Sequence, residues 1–227
     1  MKKLTAIIAL SLLLFAFATF SIAQDERRYI KLSQIPGEGK SATDFVPRGW
    51  KIEEQIEGDL NRDAKPDLLL QLIEDLPAGD DRYRALLVLA KTNNGAWRRI
   101  AAAVRLLFCT SCFGVLAGPD GGSPDVKIAN GVIVVNHLWG SNEATDHTQR
   151  FRYDMPLKRF VMIGEDYEEM DRGKGTSVRE SSNYLTGVKI VEKSRINRRG
   201  EMVKVSTVKK RVSAPKKFLE DVDYEKI

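Results

Sequence analysis

Histidine and cysteine are scarce in this chain, which has two of each among its 227 residues. The chain also lacks a Gly-x-Ser-x-Gly elbow, a His-Glu-x-x-His pair and a glycine-rich phosphate loop, so the enzyme classes that these motifs mark are not indicated. His137 and His147 are ten positions apart, whereas zinc-binding histidines usually have a shorter spacing. A zinc site made from both histidines and both cysteines fits the ligand count but not the spacing.

Sustained helical periodicity is absent after residue 23, and residues 101–108 are the only stretch that resembles a helix. Apolar runs alternate instead with turn signals, and Asn-Gly between two such runs is a strong hairpin signal. We therefore predict an all-β fold, an antiparallel hairpin meander that packs as a few propeller-like blades or as a sandwich. The predicted strands cover residues 50–55, 68–73, 84–91, 96–104, 126–129, 132–139, 149–153, 160–163, 189–196 and 201–212.

Only one long apolar run is present, and it lies near the start of the chain. Lys2 and Lys3 precede this run over residues 4–20, and small residues at positions 21 and 23 mark a cleavage point before Gln24, as in a secretory signal peptide. An uncleaved signal anchor is the alternative, because the run is almost long enough to span a bilayer. We expect residues 1–23 to be removed and the protein to be periplasmic or secreted, with no stable membrane insertion after cleavage.

The formal net charge is +5, and two of these charges come from the predicted signal peptide. The remaining basic residues are concentrated late in the chain, where they would give one face a positive field. A solvated strand face is the simpler interpretation. Aromatic residues do not alternate with the basic ones as a nucleic-acid platform requires, so we predict no nucleic-acid partner. The late basic residues are Arg195, Arg198, Arg199, Lys204, Lys209, Lys210, Arg211, Lys216 and Lys217.

The clearest chemical pattern lies in the loop that follows residue 58. Asp59, Asn61, Asp63 and Asp67 stand at positions 1, 3, 5 and 9 of this loop. Oxygen ligands at this spacing converge on a hard cation such as calcium, and the backbone carbonyl of Lys65 at position 7 would add a further ligand. The alternative is an Asx-rich turn between two strands, with solvated carboxylates. The spacing favours a calcium site over residues 59–67.

This loop departs from an EF-hand in two ways. Ala64 occupies the position where such loops usually have Gly, and a residue other than Gly costs about 1–2 kcal/mol in the left-handed region. Leu70 stands at position 12, so the bidentate Glu is missing. Residues 51–73 nevertheless resemble one calcium-loop repeat of the FG-GAP or VCBS type, in which a D-x-D-x-D-G-x-x-D loop joins two strands. The resemblance implies that Asp59, Asn61, Asp63 and Asp67 are ligands, and it covers too little of the chain to imply a complete propeller.

Cys109 and Cys112 are separated by two residues, in the sequence Cys-Thr-Ser-Cys. A short disulfide loop is the expectation for an exported protein that has no other cysteine. A thioredoxin-like redox pair is the alternative, but no βαβ pattern surrounds the two cysteines to support it.

Other candidate sites are less specific. Residues 165–171 form an acidic run that we interpret as a solvated loop, with the capacity for a second weak cation site. Asp146 and His147 are neighbours, so their side chains in a strand point to opposite faces and do not form a catalytic pair. Trp50, Trp97 and Trp139 lie in or beside apolar strands, and we interpret them as core residues rather than as ligand-stacking residues.

The predicted organisation is a signal peptide over residues 1–23, an extended N-terminal segment over residues 24–49 and a single β domain over residues 50–227. One functional hypothesis is a non-enzymatic, exported calcium-binding module that binds a protein or glycan outside the cytoplasm. The other is an exported hydrolase whose acids are assembled by the fold, for which an acidic pair about 5–9.5 Å apart in a cleft would be the sign. The module is preferred and no catalytic residue is assigned, because the only organised acids are spaced for a cation.

Overall fold

The computed structural model describes residues 29–77, 79–112, 114, 116 and 124–226. The predicted signal peptide lies outside these residues. The described residues form twelve strands joined by turns and short 3-10 segments. In chain order the strands are β1 (Glu38–Gly39), β2 (Trp50–Gly58), β3 (Asp67–Glu74), β4 (Arg84–Lys91), β5 (Trp97–Ala103), β6 (Asp125–Ala129), β7 (Val132–Gly140), β8 (Glu143–Asp154), β9 (Arg159–Asp171), β10 (Thr176–Asn183), β11 (Val188–Ile196) and β12 (Met202–Arg211).

The strands belong to two antiparallel sheets. One sheet has the order β1-β5-β4-β3-β2, and the other runs without interruption from β6 at one edge to β12 at the other. Nearly every strand therefore pairs with its neighbour in the chain, and the predicted all-β hairpin meander is confirmed. The two open sheets pack face to face as a sandwich. Side chains from both sheets form the shared core, among them Leu69, Leu86, Val88, Ile133, Val135, Phe151, Phe160 and Met162.

The five-stranded sheet is covered on both faces, which explains the nearly continuous apolar sequences of β3 and β4. One face meets the seven-stranded sheet, and the other is covered by the N-terminal segment. Ile30, Ile35 and Phe45 from that segment pack against Leu70, Leu87 and other side chains of the sheet. Only the last residue of each of these two strands is not buried.

The seven-stranded sheet extends well beyond its partner. Its contribution to the shared core ends in β9 at Met162, and neither β11 nor β12 contains a buried residue. The last strands of the meander therefore expose both faces to solvent, and β12 forms the free edge of the sheet.

Two local expectations were wrong. The acidic run over residues 165–171 is the second half of β9, because basic residues on neighbouring strands balance its charges. Asp166, for example, binds Arg150 at 2.7 Å and Arg179 at 3.5 Å. The apparent helical stretch over residues 101–108 instead begins with the end of β5 and continues as bends. Its apolar side chains are buried in the sandwich and near the cysteines, so their spacing reflects burial from several directions.

Candidate functional site

The predicted calcium loop connects β2 to β3 at one end of the five-stranded sheet. Leu60 anchors it, because this side chain is buried in the shared core. A Cβ atom on Gly58 would lie 2.9 Å from side-chain carbons of Ile128 in β6, so glycine allows the two sheets to approach beside the loop. Arg62 and Ala64 have φ angles of 62° and 63°. The loop therefore adopts the sharp curvature expected at Ala64 although the Gly is missing.

Side-chain oxygens of the loop accept hydrogen bonds from its own backbone. Asp59 accepts from the N–H of Arg62 at 2.6 Å and from that of Ala64 at 3.1 Å. Asn61 accepts from the N–H of Asp63, and Asp63 accepts from that of Lys65, both at 2.9 Å. Such successive Asx turns tie the three oxygen-bearing side chains to the backbone of one curved segment.

Asp67 is the most constrained member of the set, with an exposed fraction of 0%. Its carboxylate accepts hydrogen bonds from the backbone N–H groups of Leu60 at 2.9 Å and Asn61 at 3.1 Å. Burial raises the pKa of Asp67; the two backbone N–H groups act in the opposite direction, and the charges of Asp63 and Asp59 raise the pKa further. Three carboxylates are thus close enough to repel one another, with one of them inside the protein.

A cation would fit the loop only after some side chains turn. Across the described residues, no three His, Cys, Asp or Glu side chains already stand close enough together to hold a metal ion. Each carboxylate oxygen has a second lone pair, so the Asx hydrogen bonds and coordination are compatible once Asp59 and Asp63 rotate inward. The ammonium group of Lys65 points away from the loop and binds the Asn93 side chain at 2.5 Å. That contact removes one positive charge that would compete with a cation.

Cys109 and Cys112 form a disulfide with an S–S distance of 2.02 Å, as predicted. The bond lies in a cluster of aromatic side chains, and the Cys112 sulfur is 3.7 Å from the Tyr224 hydroxyl. Because the two sulfurs are bonded to each other, they do not complete a zinc site with the histidines.

The hairpin of β7 and β8 produces a buried polar cluster that sequence reasoning missed. His137 and His147 are cross-strand partners, with exposed fractions of 3% and 4%. His137 stacks on Phe108 with ring centroids 4.1 Å apart. His147 Nε2 lies 3.1 Å from Glu165 Oε2, and Glu165 also accepts a hydrogen bond from the Tyr184 hydroxyl. Cross-strand register was the signal available, but the apolar pattern predicts a strand that begins at residue 149 and leaves His147 outside it.

The opposite sheet contributes an ion pair between a buried arginine and a partly buried glutamate near these histidines. Arg84 has an exposed fraction of 2% and binds Glu53 through Nε at 2.7 Å and through a terminal nitrogen at 2.8 Å. Burial lowers the pKa of His137 to about 3, and the nearby His147 and Arg84 lower it in the same direction. Neither ring nitrogen of His137 has a hydrogen-bond partner among the described residues. The cluster therefore keeps His137 neutral.

Adjacent residues of β8 point to opposite faces, as predicted for Asp146 and His147. Asp146 accepts a hydrogen bond from the Asn136 side chain at 2.5 Å, whereas His147 is inside the sandwich. The two side chains do not form a catalytic pair.

A cavity of about 490 Å³ is lined by residues of β7, β8, β9 and β10. Trp139 forms part of its wall, together with the acidic residues Glu143, Glu169 and Asp171. Trp139 thus lines the cavity and also packs against Phe108. Trp97 is buried, as predicted. Hydrogen bonds and the ion pair with Lys174 lower the pKa of Asp171. That shift is opposite to the one a general acid requires.

No family model, curated protein or solved structure matches this chain. No helix within the described part of the chain is both long enough and apolar enough to cross a membrane.

Proposed function

We propose that this protein is an exported calcium-binding β-module of the FG-GAP or VCBS type, without catalytic activity, that binds a protein or glycan outside the cytoplasm. Calcium is held by the side chains of Asp59, Asn61, Asp63 and Asp67 and by the backbone carbonyl of Lys65. The ion joins β2 to β3 and stabilises the end of the sandwich. The Cys109–Cys112 disulfide supports export, because disulfides persist mainly in oxidising compartments.

The observation that carries this proposal is the buried carboxylate of Asp67. Burial and two neighbouring negative charges raise its pKa, so the loop carries an electrostatic cost that a divalent cation would remove. A solvated Asx turn requires no buried acid, and its carboxylates would be free to separate. The loop instead fixes Asp67 with backbone hydrogen bonds and keeps the other two acids beside it.

Calcium-dependent melting of the purified protein tests the proposal. Ligand that binds only the native state adds about 2.7 kcal/mol of stability at a hundredfold excess over Kd, so calcium should raise the melting temperature and a chelator should lower it. We expect a Kd of about 10⁻⁴ to 10⁻³ M, as in extracellular modules, because Arg62 remains in the loop and Ala64 is strained.

Two variants identify the site in that experiment. Asp63→Ala removes a ligand and should abolish the calcium-dependent shift. Asp75→Ala changes an exposed acid at the other end of β3, just after the strand, and should leave the shift intact. Calorimetry without calcium uptake at millimolar concentration, or an unchanged shift in Asp63→Ala, would mean that the loop is a solvated Asx turn.

The hydrolase hypothesis has one observation in its favour, which is the cavity lined by Trp139 and three acids. The fold brings Glu143 of β8 beside Glu169 and Asp171 of β9, and such assembly leaves no sequence motif. Its test is hydrolysis of β- and α-linked oligosaccharides by the wild-type protein and by Glu169→Gln. If the wild-type protein hydrolyses such a substrate and Glu169→Gln does not, the protein is a glycosidase rather than a binding module.

A further inference from the structure

β12 gives the seven-stranded sheet a free edge whose residues are almost all exposed. β12 pairs with β11 on one side and is the last strand of the seven-stranded sheet. The pairing is irregular at Lys193 and Ser194 and is regular from Ser206 to Arg211. All residues over positions 206–211 are exposed. Such an edge presents alternate N–H and C=O groups to which another strand can bond.

The side chains along this edge have charge of one sign. β12 contains four basic residues and no acidic residue, namely Lys204, Lys209, Lys210 and Arg211. Lys204 is paired with Glu192 of β11. In the described part of the chain, Lys209, Lys210 and Arg211 form no ion pair with another residue.

The register of β12 places these cations on both faces of the sheet. Lys210 lies opposite Lys189, whereas Lys209 lies opposite Ile190, and successive side chains of a strand point to opposite faces. Val208 lies between Thr207 and Lys209 and is exposed to 47%. A strand placed beside residues 206–211 would therefore meet positive charge on either face. It would also meet the apolar side chain of Val208 on the face that carries Lys210.

We propose that residues 206–211 of β12 bind an extended acidic polypeptide segment, which adds as a further strand to the seven-stranded sheet. Backbone hydrogen bonds supply the attachment, and carboxylates on both faces of the segment pair with Lys209, Lys210 and Arg211. This inference names a partner for the binding role proposed above and rests on that role. It does not require calcium in the loop over residues 59–67.

A second copy of this chain is a poorer occupant of the edge. Pairing of two β12 edges brings the cluster over residues 209–211 of each copy close to cations of the other, and like charges opposite each other destabilise a sheet. Lysine on edge strands is a common protection against self-pairing. The same charges attract an acidic segment, so the edge of β12 favours an acidic partner over a second copy of this chain.

Titration with a synthetic peptide tests the proposal. The probe is a short, blocked peptide that repeats Glu-Glu-Val-Val, so that glutamates lie on both faces of an added strand. It is added to isotopically labelled full-length protein at physiological ionic strength, and binding is followed by amide NMR. We expect saturable shifts confined to β12 and to its neighbour β11. The same peptide with lysine in place of glutamate should not bind, and no binding of the glutamate peptide would overturn the proposal.

Variants and modified peptides separate strand addition from simple charge attraction. Lys209→Glu with Lys210→Glu should weaken binding by about tenfold or more, and the matched change of exposed Lys31 and Lys40 to Glu should leave it within about twofold. Two further peptides carry N-methyl groups at alternate residues, one at the odd positions and the other at the even positions. N-methylation removes N–H donors, and only alternate N–H groups of a strand face its neighbour, so the two peptides cannot both keep the hydrogen bonds to β12. At least one should lose binding; equal binding of both would show charge attraction alone and overturn strand addition.

The titration is repeated with a chelator so that the two proposals fail separately. Peptide binding that persists with chelator, in protein that shows calcium-dependent melting, supports both. Loss of the calcium shift with retained peptide binding overturns only the calcium loop. Calcium-dependent melting without peptide binding overturns only the edge.

Discussion

His137 and His147 lie directly opposite each other on β7 and β8, with both rings inside the sandwich. The two rings differ in their partners. His147 is bonded to Glu165, whereas His137 has Phe108 against its face and no hydrogen-bond partner in the described residues. Protonation of His137 would place an unpaired charge in the core beside another histidine and Arg84.

Stability should therefore fall as the pH drops below about 6.5. The pKa of His137 is lowered from 6.5 to about 3, so between these values the unfolded state binds one more proton than the native state. The contribution of His137 to the free energy of unfolding is complete above the pKa that it has in the unfolded chain. As the pH falls from there toward the lower pKa of the folded protein, that contribution decreases by up to about 1.4 kcal/mol per pH unit. Urea unfolding between pH 5 and 6.5, where most carboxylates stay ionised, measures the slope.

A variant assigns that slope to His137. His137→Gln removes the titrating group and should flatten the dependence of unfolding free energy on pH in the same window. An equally steep dependence in His137→Gln would attribute acid sensitivity to other groups.

Ala64→Gly should stabilise the protein. Ala64 has a φ of 63°, and removal of its Cβ relieves about 1 kcal/mol of left-handed strain, which exceeds the entropic cost of the more flexible unfolded chain. The same change should tighten calcium binding, because less strain opposes the closed loop. Ala129→Gly serves as the control, because Ala129 is exposed in β6 and does not have a positive φ. Glycine at that position relieves no strain, so the change should destabilise the protein. Equal effects at the two sites would contradict the role of strain at Ala64.

Reduction of the disulfide should have a small effect on stability. Cys109 and Cys112 are three positions apart, so the closed ring restrains few unfolded conformations, and its contribution should lie below the roughly 3 kcal/mol of a fifteen-residue loop. Thermal melting with and without a reductant measures the difference, and thiol titration of the untreated protein verifies the bond. A loss above about 3 kcal/mol would mean that the bond also holds the surrounding aromatic cluster together.

Sequence alone predicted the meander because its signals are local. Asn130 and Gly131 both have positive φ and turn β6 into β7, as an Asn-Gly pair predicts. The acidic half of β9 was missed because its balancing cations, such as Arg150 and Arg179, lie on other strands. The pairing of His137 with His147 also required the β8 register, which apolar patterning did not supply because β8 carries polar residues on both faces. The candidate calcium ligands stood out because they lie within nine consecutive residues.

Glu53→Gln should be one of the most destabilising single changes in the polar cluster. It leaves the buried guanidinium of Arg84 without a counter-charge, and loss of one partner from a buried pair costs about 3–5 kcal/mol. Arg84 would keep its hydrogen bond to the Phe108 carbonyl at 3.0 Å, which does not neutralise it. The double variant Glu53→Gln with Arg84→Met removes the orphaned charge and should recover part of the loss. Asp75→Asn breaks the exposed pair with Lys51 and should cost about 0–1 kcal/mol; urea unfolding in which Glu53→Gln costs no more than Asp75→Asn would contradict a buried pair.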